Sequence, residues 1–438
     1  MTEKFVINRR DTLALMLGTA VASALTGRAL SADETMSFWA VHTNTPELAA
    51  AMQQIVNSFE QEKGVKVAYQ AVDGSIVYPK FLTAVQGNAL PDVADGYSYH
   101  PLQFAAMNQM QPTDDIINAW KADGTLADIV NEYAYKKFFW NDHYWGVPWN
   151  LDIRAIYYRK DLLEKAGVKP PTDWDTFKEA AIKLNDPDNG VYGLAFPAGN
   201  FHIAQHYYMA FMLQAGGSIL DKDGNLVFGT TAKDANVQAL TYLTDFATKY
   251  HVTPDGIASY NTDEPMTLFI QGRAAFCMGT GGMIARLLKE APDMIDNVGV
   301  LETLQGPKAK LTAGFYNPLF VWKYSPNQKL ATDFVQWLVK PGRLQPLYTA
   351  YPGNCWPILK SELDAEVFKK TPLMVEVLQK VIPFTTDFAY PGTGVPQMGA
   401  IDGEKMFAEP VNDVVAGAKT PEQAVEDAHA KMAKLWQS

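Results

Sequence analysis

The chain has 438 residues, of which 47% are hydrophobic, and its formal net charge is -11 at pH 7. This composition is typical of a globular protein and not of a disordered or membrane-embedded one. An acidic chain without a lysine and arginine cluster repels phosphate, so nucleic acid and anionic membranes are poor candidates as partners. The length favours two lobes over a single core.

Residues 1–31 form a predicted export signal. Arg9 and Arg10 give a basic start, an apolar run follows over 13–24, and small residues at 29–32 offer a cleavage site. The run is shorter than the roughly 20 residues that span a bilayer, and no cysteine at the cut offers a lipid site. The arginine pair favours the twin-arginine route, and ordinary secretion is the alternative. We therefore expect the protein in the periplasm of a Gram-negative bacterium.

The chain contains two cysteines, Cys277 and Cys355. In an oxidising compartment they could form a disulfide, but isolated thiols are as often buried and free. The sequence leaves both states open.

In chain order, the first elements predict a β-α-β unit. An apolar run at 38–41 precedes a helix start, with Thr45 as N-cap and Pro46 in the first turn. Apolar residues then recur at helical spacing until Gly64, and alternation over 65–69 predicts the second strand.

The same alternation continues along the chain. A strand is predicted at 92–94, Thr172 is the predicted cap of a helix, and a strand follows at 192–196. A capping box at 420–423 opens a final helix. This order predicts α/β layers with parallel sheets. Because no linker divides the chain, we expect it to cross between two lobes more than once.

Signatures of catalysis are incomplete. Residues 216–220 lack the last glycine of a hydrolase elbow, and 279–282 are not followed by the Lys-Ser/Thr of a phosphate loop. His202 and His206 have a spacing that suits a metal site, but Ile203 stands where a zinc protease has glutamate, and no third ligand is evident. We predict no metal, no cofactor and no catalytic residue, although a carboxylate pair is defined by a distance that sequence does not contain.

Aromatic residues stand beside Gly, Asn, Asp, His or Pro at several places where turns are expected. They are Trp39, Tyr97, Tyr99, Trp149, Phe315, Tyr316, Trp356 and Tyr390. Each alone could serve packing. Together they suit a carbohydrate cleft, in which aromatic faces stack on sugar rings and polar side chains pair with hydroxyl groups.

Two stretches, VPWNLDIRAIYYRKDLLEKAG at 147–167 and PPTDW at 170–174, carry a family resemblance. They resemble the extracellular solute-binding proteins of ABC importers, family 1, which include the maltose- and glycerol-3-phosphate-binding proteins. Other segments agree in order: 58–60, 64–67, 90–93, 216–221, 269–276 and 420–424. The resemblance spans nearly the whole mature chain.

This resemblance implies an α/β, type II-like periplasmic-binding-protein fold with a hinge and an interlobe ligand cleft. It places lobe one at 33–149 plus 304–352 and lobe two at 150–303 plus 353–438. Ligand contacts with both lobes would favour a closed state. The membrane permease subunits would read that state, and the binding protein would be a monomer.

The resemblance also implies a set of ligand-binding positions. They are His42, Thr43, Ser75, Asp95, Tyr97, Asp152, Gly199, Asn200, Thr280, Gly281 and Trp356, to which we add Tyr316, Asn317 and Tyr390. Asp95 and Asp152 would accept hydrogens from ligand hydroxyls, Thr280 and Gly281 would donate, and an aromatic ring would form the floor. Asp152 could instead pair with a nearby lysine or arginine and stabilise the hinge.

One departure from the family pattern bears on the substrate. The glycerol-phosphate branch has an arginine after a Pro-Phe-Thr sequence, whereas residues 383–388 read PFTTDF with no arginine nearby. We therefore expect a neutral sugar, short oligosaccharide or polyol. An acidic sugar or glycerol phosphodiester is the first alternative, because neutral donors can also hold an anion. An exported carbohydrate-active enzyme is the second.

Overall fold

The computed structural model describes residues 35–437, so the predicted export signal lies outside the described residues. The strands β1 to β12 are Thr35–Ala40, Lys66–Ala71, Val93–Asp95, Met110–Gln111, Phe139–Trp140, His143–Tyr144, Val147–Arg159, Tyr192–Ala195, Ala274–Thr280, Val298–Val300, Thr312–Trp322 and Thr385–Thr386.

The helices α1 to α20 are Pro46–Lys63, Val77–Gly87, His100–Ala106, Asp114–Asp123, Thr125–Asp128, Tyr133–Lys136, Lys160–Ala166, Trp174–Lys183, His202–Ala215, Lys233–Thr248, Asp263–Ile270, Met283–Glu290, Gln328–Leu338, Gln345–Ala350, Lys360–Leu363, Glu366–Lys369, Pro372–Lys380, Gln397–Gly403, Ala408–Val415 and Pro421–Ala433. Within residues 35–437, none of these helices has both the length and the apolar character needed to span a bilayer.

The predicted β-α-β unit at the start of the chain is confirmed. β1 and β2 pair in parallel, and α1 connects them. The Thr45 hydroxyl accepts a hydrogen bond from the Leu48 amide, and Gly64 ends α1 in the left-handed conformation with φ of 70°. Phe59 on the buried face of α1 packs edge-to-face on Phe334 and Trp337. The unit thus contributes one face of the hydrophobic core.

A ten-stranded sheet runs through the molecule in the order β2-β1-β3-β11-β7-β9-β8, with β10 on β7 and both β4 and β12 on β11. The pairs at its two ends, β2-β1-β3 and β8-β9, are parallel, as predicted. The middle pairs β3-β11, β11-β7 and β7-β9 are antiparallel, so the prediction of parallel sheets is wrong there. Strand direction depends on how the chain returns to the sheet, which alternation of helices and strands does not specify.

The two long strands β7 and β11 connect the ends of the sheet. The first part of β7 pairs with β11, and its second part pairs with β9. Trp149, Phe315 and Tyr316 lie inside these strands and are buried, and Trp39 lies inside β1, so the expectation that these four stand in turns is wrong. The neighbouring polar residues pair inside the sheet instead of forming turns, since Asn317 donates a hydrogen bond of 2.8 Å to the side-chain oxygen of Asn150. The predicted lobe boundaries stay a prediction.

The N-caps of α8 and α20 agree with the predicted capping residues, with one correction. The N-cap of α8 is Asp173 and not Thr172. The Asp173 carboxylate accepts a hydrogen bond from the Thr176 amide, and the Thr176 hydroxyl accepts one from the Asp173 amide. A charged carboxylate is the stronger acceptor at a helix N-terminus. The capping box predicted for α20 is confirmed.

Helix α9 is interior, since every residue from Ile203 to Ala215 is buried. The first turn of α9, with His202, Ile203 and His206, reaches the cavity that forms the candidate site.

Candidate functional site

A cavity of about 190 Å³ lies between the two ends of the sheet, and we call it the central cavity. The residues that line it are Val41, His42, Asn44, Tyr97, Ser98, Asp152, Arg154, His202, Ile203, His206, Thr262, Thr280, Phe315, Asn317, Asn354 and Asp402. They come from the loops after β1 and β3, from β7, β9 and β11, from α9 and α18, and from the segments before α11 and after α14. The central cavity is therefore assembled from segments that are far apart in sequence.

Asp95, at the end of β3, organises the loop after β1. Its Oδ2 accepts hydrogen bonds of 3.0 Å from the backbone amides of Val41 and His42, and its Oδ1 lies 2.6 Å from His42 Nδ1. Asp95 is fully buried behind the cavity wall. It therefore acts on the central cavity through the His42 ring, which it orients.

Asp152 and Arg154 stand two residues apart on β7, so their side chains leave the same face of the sheet. Arg154 Nη1 lies 2.7 Å from Asp152 Oδ1. Arg154 Nε and Nη2 lie 3.0 Å and 2.7 Å from Nδ1 of His206. Asp152 thus forms the arginine pair that the sequence left open as an alternative, and the Asp152 side chain keeps 21% of its surface exposed at the central cavity.

His202 and His206 stand one turn apart at the start of α9, and Asp402 near the end of α18 faces them. The Asp402 Oδ1 accepts hydrogen bonds of 2.9 Å from His202 Nε2 and 2.8 Å from Gln205 Nε2. Burial by itself would raise the pKa of Asp402, but the nearby His202, His100 and Lys137 hold that pKa below its usual value. Asp402 is therefore an ionised acceptor in the cavity wall.

Within residues 35–437, these three residues also form the group whose side-chain types and spacing could bind a metal ion. A ring nitrogen of His202, a ring nitrogen of His206 and an oxygen of Asp402 all lie within 4.8 Å of one another. The third group, which the sequence did not reveal, is Asp402.

Tyr97 makes the aromatic contact across the central cavity. Its ring stacks on His202 with a centroid distance of 4.6 Å and an interplanar angle of 23°, and it meets His42 edge-on at 5.5 Å. A Cβ on Gly74 would lie 2.1 Å from the Tyr97 hydroxyl, so only glycine fits there. Burial raises the pKa of Tyr97, which remains a neutral phenol.

A second space of about 510 Å³ adjoins the central cavity, and we call it the outer chamber. Tyr97 and His202 line both spaces, and their rings stack on each other. Ser75, Phe201 and Asn261 belong to the outer chamber. The two spaces share five lining residues: Asn44, Tyr97, His202, Ile203 and Thr262.

The structure brings together part of the predicted ligand-binding set. Five of its members line the central cavity: His42, Tyr97, Asp152, Thr280 and Asn317. Ser75 lines the outer chamber. The remaining members do not line either space: Thr43, Asp95, Gly199, Asn200, Gly281, Tyr316, Trp356 and Tyr390.

The residues outside both spaces have contacts of their own. The Thr43 hydroxyl is hydrogen-bonded to Tyr69, the Tyr316 hydroxyl to Thr385, and Trp356 Nε1 donates to the Gly353 carbonyl. Gly199 donates its amide to the Tyr260 carbonyl, Gly281 lies against Gly353, Asn200 is exposed and Tyr390 packs on Tyr133. Ligand contact by any of them stays a prediction.

Sequence reasoning missed several residues of the central cavity, among them Arg154, Asn354 and Asp402, whereas Phe315 was one of the aromatic residues predicted to suit a cleft. The histidine spacing on α9 was a usable signal for His202 and His206. Asp402 had none, because it is 200 residues from the histidine that it contacts.

A hinge-like pair of long strands and a polar, partly aromatic cavity between two sheet ends define a solute-binding protein. The family model of the bacterial extracellular solute-binding proteins matches residues 42–343. The chain belongs to this family, whose members are non-enzymatic transport components, so the predictions of family and of no enzymatic activity are confirmed.

Individual proteins agree with this assignment. YcjN of Escherichia coli (strain K12), which carries the name of an ABC transporter periplasmic-binding protein, is 23% identical over 441 residues, 96% of this chain and 98% of that protein. A sugar transporter from Arthrobacter chlorophenolicus A6 with bound laminaribiose superimposes with a TM-score of 0.80 at 28% identity, covering 91% of this chain and 99% of the other.

The solute-binding protein from Agrobacterium radiobacter K84 in complex with ribitol has a TM-score of 0.75 at 21% identity, covering 92% of this chain and 98% of that chain. At that identity it shows the fold alone. The predicted α/β periplasmic-binding-protein fold is confirmed.

Proposed function

We propose that this chain is the periplasmic substrate-binding component of an ABC importer and that it binds a neutral sugar, short oligosaccharide or polyol. Family membership supports the role in transport. The laminaribiose complex of a 28% identical structure supports the carbohydrate class. The importer's membrane permease subunits are the partner that this role requires.

The charge balance of the central cavity carries the proposal. Among its described lining residues, Arg154 lies 2.7 Å from Asp152, and His202 lies 2.9 Å from Asp402. His42 in turn lies 2.6 Å from Asp95. An anionic ligand gains most from a cationic side chain that has no partner in the protein. In these pairs, each basic side chain already has a carboxylate partner. This favours a neutral ligand over the acidic sugar or phosphodiester alternative.

The remaining chemistry of the cavity suits hydroxyl groups. Carboxylate and amide oxygens of Asp152, Asp402 and Asn317 supply acceptors, while the His42 and His206 rings add nitrogens. The rings of Tyr97 and Phe315 supply flat apolar faces for C–H groups. A sugar ring, with hydroxyls at its rim and C–H groups on its faces, needs both.

The size of the cavity bears on the length of the ligand. At 190 Å³ the central cavity holds about six waters of roughly 30 Å³ each, which is room for one ring or a short polyol. A second ring would extend past Tyr97 into the outer chamber of about 510 Å³. Tyr97 follows β3, whereas His202 begins α9, which follows β8. A ligand that touches both would favour the arrangement in which these two segments meet.

The test combines binding, turnover and shape. The protein is titrated by calorimetry with glucose, maltose, laminaribiose, ribitol and D-mannitol, and with D-glucuronate and glycerol 3-phosphate as anionic counterparts. Chromatography checks for products, small-angle scattering measures compaction, and mass spectrometry of co-purified ligand tests sugars outside this panel. We expect a neutral compound to bind, to be recovered unaltered and to reduce the radius of gyration.

Two tyrosine variants give the matched comparison. Tyr97→Ala removes the aromatic wall and should weaken binding about tenfold or more, whereas Tyr324→Ala, at a side chain that is 63% exposed, should not. Binding of only the anionic compounds, chemical turnover, or equal effects of the two variants would contradict the proposal.

A further inference from the structure

The cluster of His202, His206 and Asp402 allows two interpretations. Its three ligating atoms lie within 4.8 Å of one another, which suits a divalent metal ion. The same separation also suits a hydroxyl group that bridges two side chains by hydrogen bonds. The protonation of His206 decides between them.

Arg154 determines which nitrogen of His206 carries the hydrogen. Its Nε and Nη2 reach the Nδ1 of His206 at 3.0 Å and 2.7 Å. A guanidinium group donates only and keeps its charge in proteins, so Nδ1 must accept. A ring that accepts at Nδ1 is neutral and bears its hydrogen on Nε2.

The surroundings of His206 keep this ring neutral. Burial lowers the pKa of His206, and the positive charges of Arg154 and His202 lower it further. The ring of Phe315 on β11 closes the other side, with a centroid distance of 3.9 Å. Burial together with Arg154 on β7, His202 on α9 and Phe315 on β11 thus disfavours a second proton, against the opposing charge of Asp402 on α18.

A metal ion does not fit this arrangement. The Nε2 of His206 is occupied by hydrogen, and its Nδ1 is occupied by Arg154, whose positive charge would also repel a divalent cation. The two remaining groups, His202 and Asp402, are hydrogen-bonded to each other at 2.9 Å. Two ligands do not make the three or four that a protein zinc site uses.

We propose that Arg154 holds His206 as a neutral donor through Nε2, and that the cluster of His202, His206 and Asp402 recognises a hydroxyl group of the transported solute and not a metal ion. The inference that a solute hydroxyl is bound rests on the proposed function. His206 is buried, and its Nε2 has no hydrogen-bond partner within residues 35–437. A buried donor without a partner is costly, so a ligand that supplies an acceptor gains affinity.

A hydroxyl group supplies what both side chains need. Its oxygen accepts from His206 Nε2, and its hydrogen goes to the Asp402 carboxylate. Two hydrogen bonds of about 2.8 Å through one oxygen join atoms roughly 4.5–5 Å apart, and a ring nitrogen of His206 lies within 4.8 Å of an oxygen of Asp402. An acceptor-only group would leave the Asp402 carboxylate unmatched.

The first experiment needs no sugar. The whole protein is labelled with ¹⁵N-histidine, and its seven histidines are followed by long-range ¹⁵N–¹H spectra between pH 6 and 8, with and without Zn²⁺. The His206 signals are those absent from His206→Gln. We expect the Nε2–H form throughout, unchanged by one equivalent of Zn²⁺, and a mixture of forms in Arg154→Met. An Nδ1–H form in the wild type, or a Zn²⁺-induced shift of His206, would overturn the assignment.

The second experiment measures binding of the neutral panel compounds, laminaribiose and ribitol among them. His206→Asn places its amide near Nδ1 and removes the donor, whereas His206→Gln places an amide near Nε2. We expect Asn to weaken binding about tenfold and Gln to weaken it less. The control is His251→Asn, at an exposed position with φ of 51° that asparagine adopts readily.

Failure of the two proposals can be told apart. If the wild type binds no neutral compound, the proposed function and the hydroxyl partner are lost, while the spectra still decide the state of His206. If the wild type binds but Asn and Gln weaken binding equally, the donor role of His206 is wrong and the proposed function stands.

Discussion

A buried ion pair beside the site gives the sharpest stability prediction. Lys137 Nζ lies 2.8 Å from Asp387 Oδ2, and each side chain is only 1% exposed. Asp387 Oδ1 also accepts from the Tyr99 hydroxyl and from the Ala389 amide. The change Asp387→Asn keeps the shape of the side chain and removes its charge, which leaves a buried ammonium group without a counterion.

The expected loss is large because the charge is buried. Removing one partner of a buried pair costs about 3–5 kcal/mol of the free energy of unfolding. A neighbouring pair of the same geometry is the control: Lys136 Nζ lies 2.7 Å from Glu132, and these side chains are 47% and 61% exposed. Glu132→Gln should cost only about 0.3–0.5 kcal/mol, as is usual for exposed pairs one helical turn apart.

The loss should also depend on pH. Burial lowers the pKa of Lys137 to about 7, although the negative charge of Asp402 raises that pKa. The pKa of a lysine in the unfolded chain is about 10.4. Burial also raises the pKa of the partner Asp387 to about 8, so this site disfavours both charges. In Asp387→Asn the same burial acts on Lys137 without a carboxylate partner, so the native state releases its proton at a lower pH than the unfolded state does. Stability of the variant should therefore rise with pH up to about pH 10, by up to roughly 1.4 kcal/mol per pH unit, because the unfolded state binds a proton that the native state has released.

Urea unfolding followed by tryptophan fluorescence at pH 6, 7, 8 and 9 measures this. The double change Lys137→Met with Asp387→Asn should recover most of the loss, because it removes the unpaired charge. A deficit equal to that of Glu132→Gln, or one that does not change with pH, would refute the reasoning.

Two further predictions concern close packing and the thiols. Gly281→Ala should lower the free energy of unfolding by about 1–3 kcal/mol, because its Cβ would lie 1.8 Å from the Gly353 carbonyl oxygen, whereas Gly87→Ala, with nothing within 4 Å, should be neutral or stabilising. Equal melting temperatures for the two variants would contradict this. Cys277 and Cys355 are both free and buried, and burial raises the pKa of each thiol, so neither should react with dithiobis(nitrobenzoate) until urea unfolds the chain. Absence of two reactive thiols in urea would show a disulfide instead.

The sequence by itself determined two kinds of feature: the ends of individual helices and the family to which the chain belongs. The Thr45 cap and the capping box at Thr420 are local because each side chain bonds an amide within one helical turn, and Gly64 ends α1 because glycine readily adopts the left-handed conformation. The family was recognisable because many short segments occur in the expected order. Local bonding and order along the chain are properties that a sequence contains directly.

Only the tertiary structure decided how the site is assembled. Arg154 meets His206 across 52 residues, and His202 meets Asp402 across 200 residues, so no local pattern could pair them. The antiparallel direction of β7 and β11 likewise follows from the return path of the chain. The cavity wall forms where strand and helix ends that are distant in sequence meet. Folding therefore decides which of the many polar residues line the cavity, and buried charges among them must be paired.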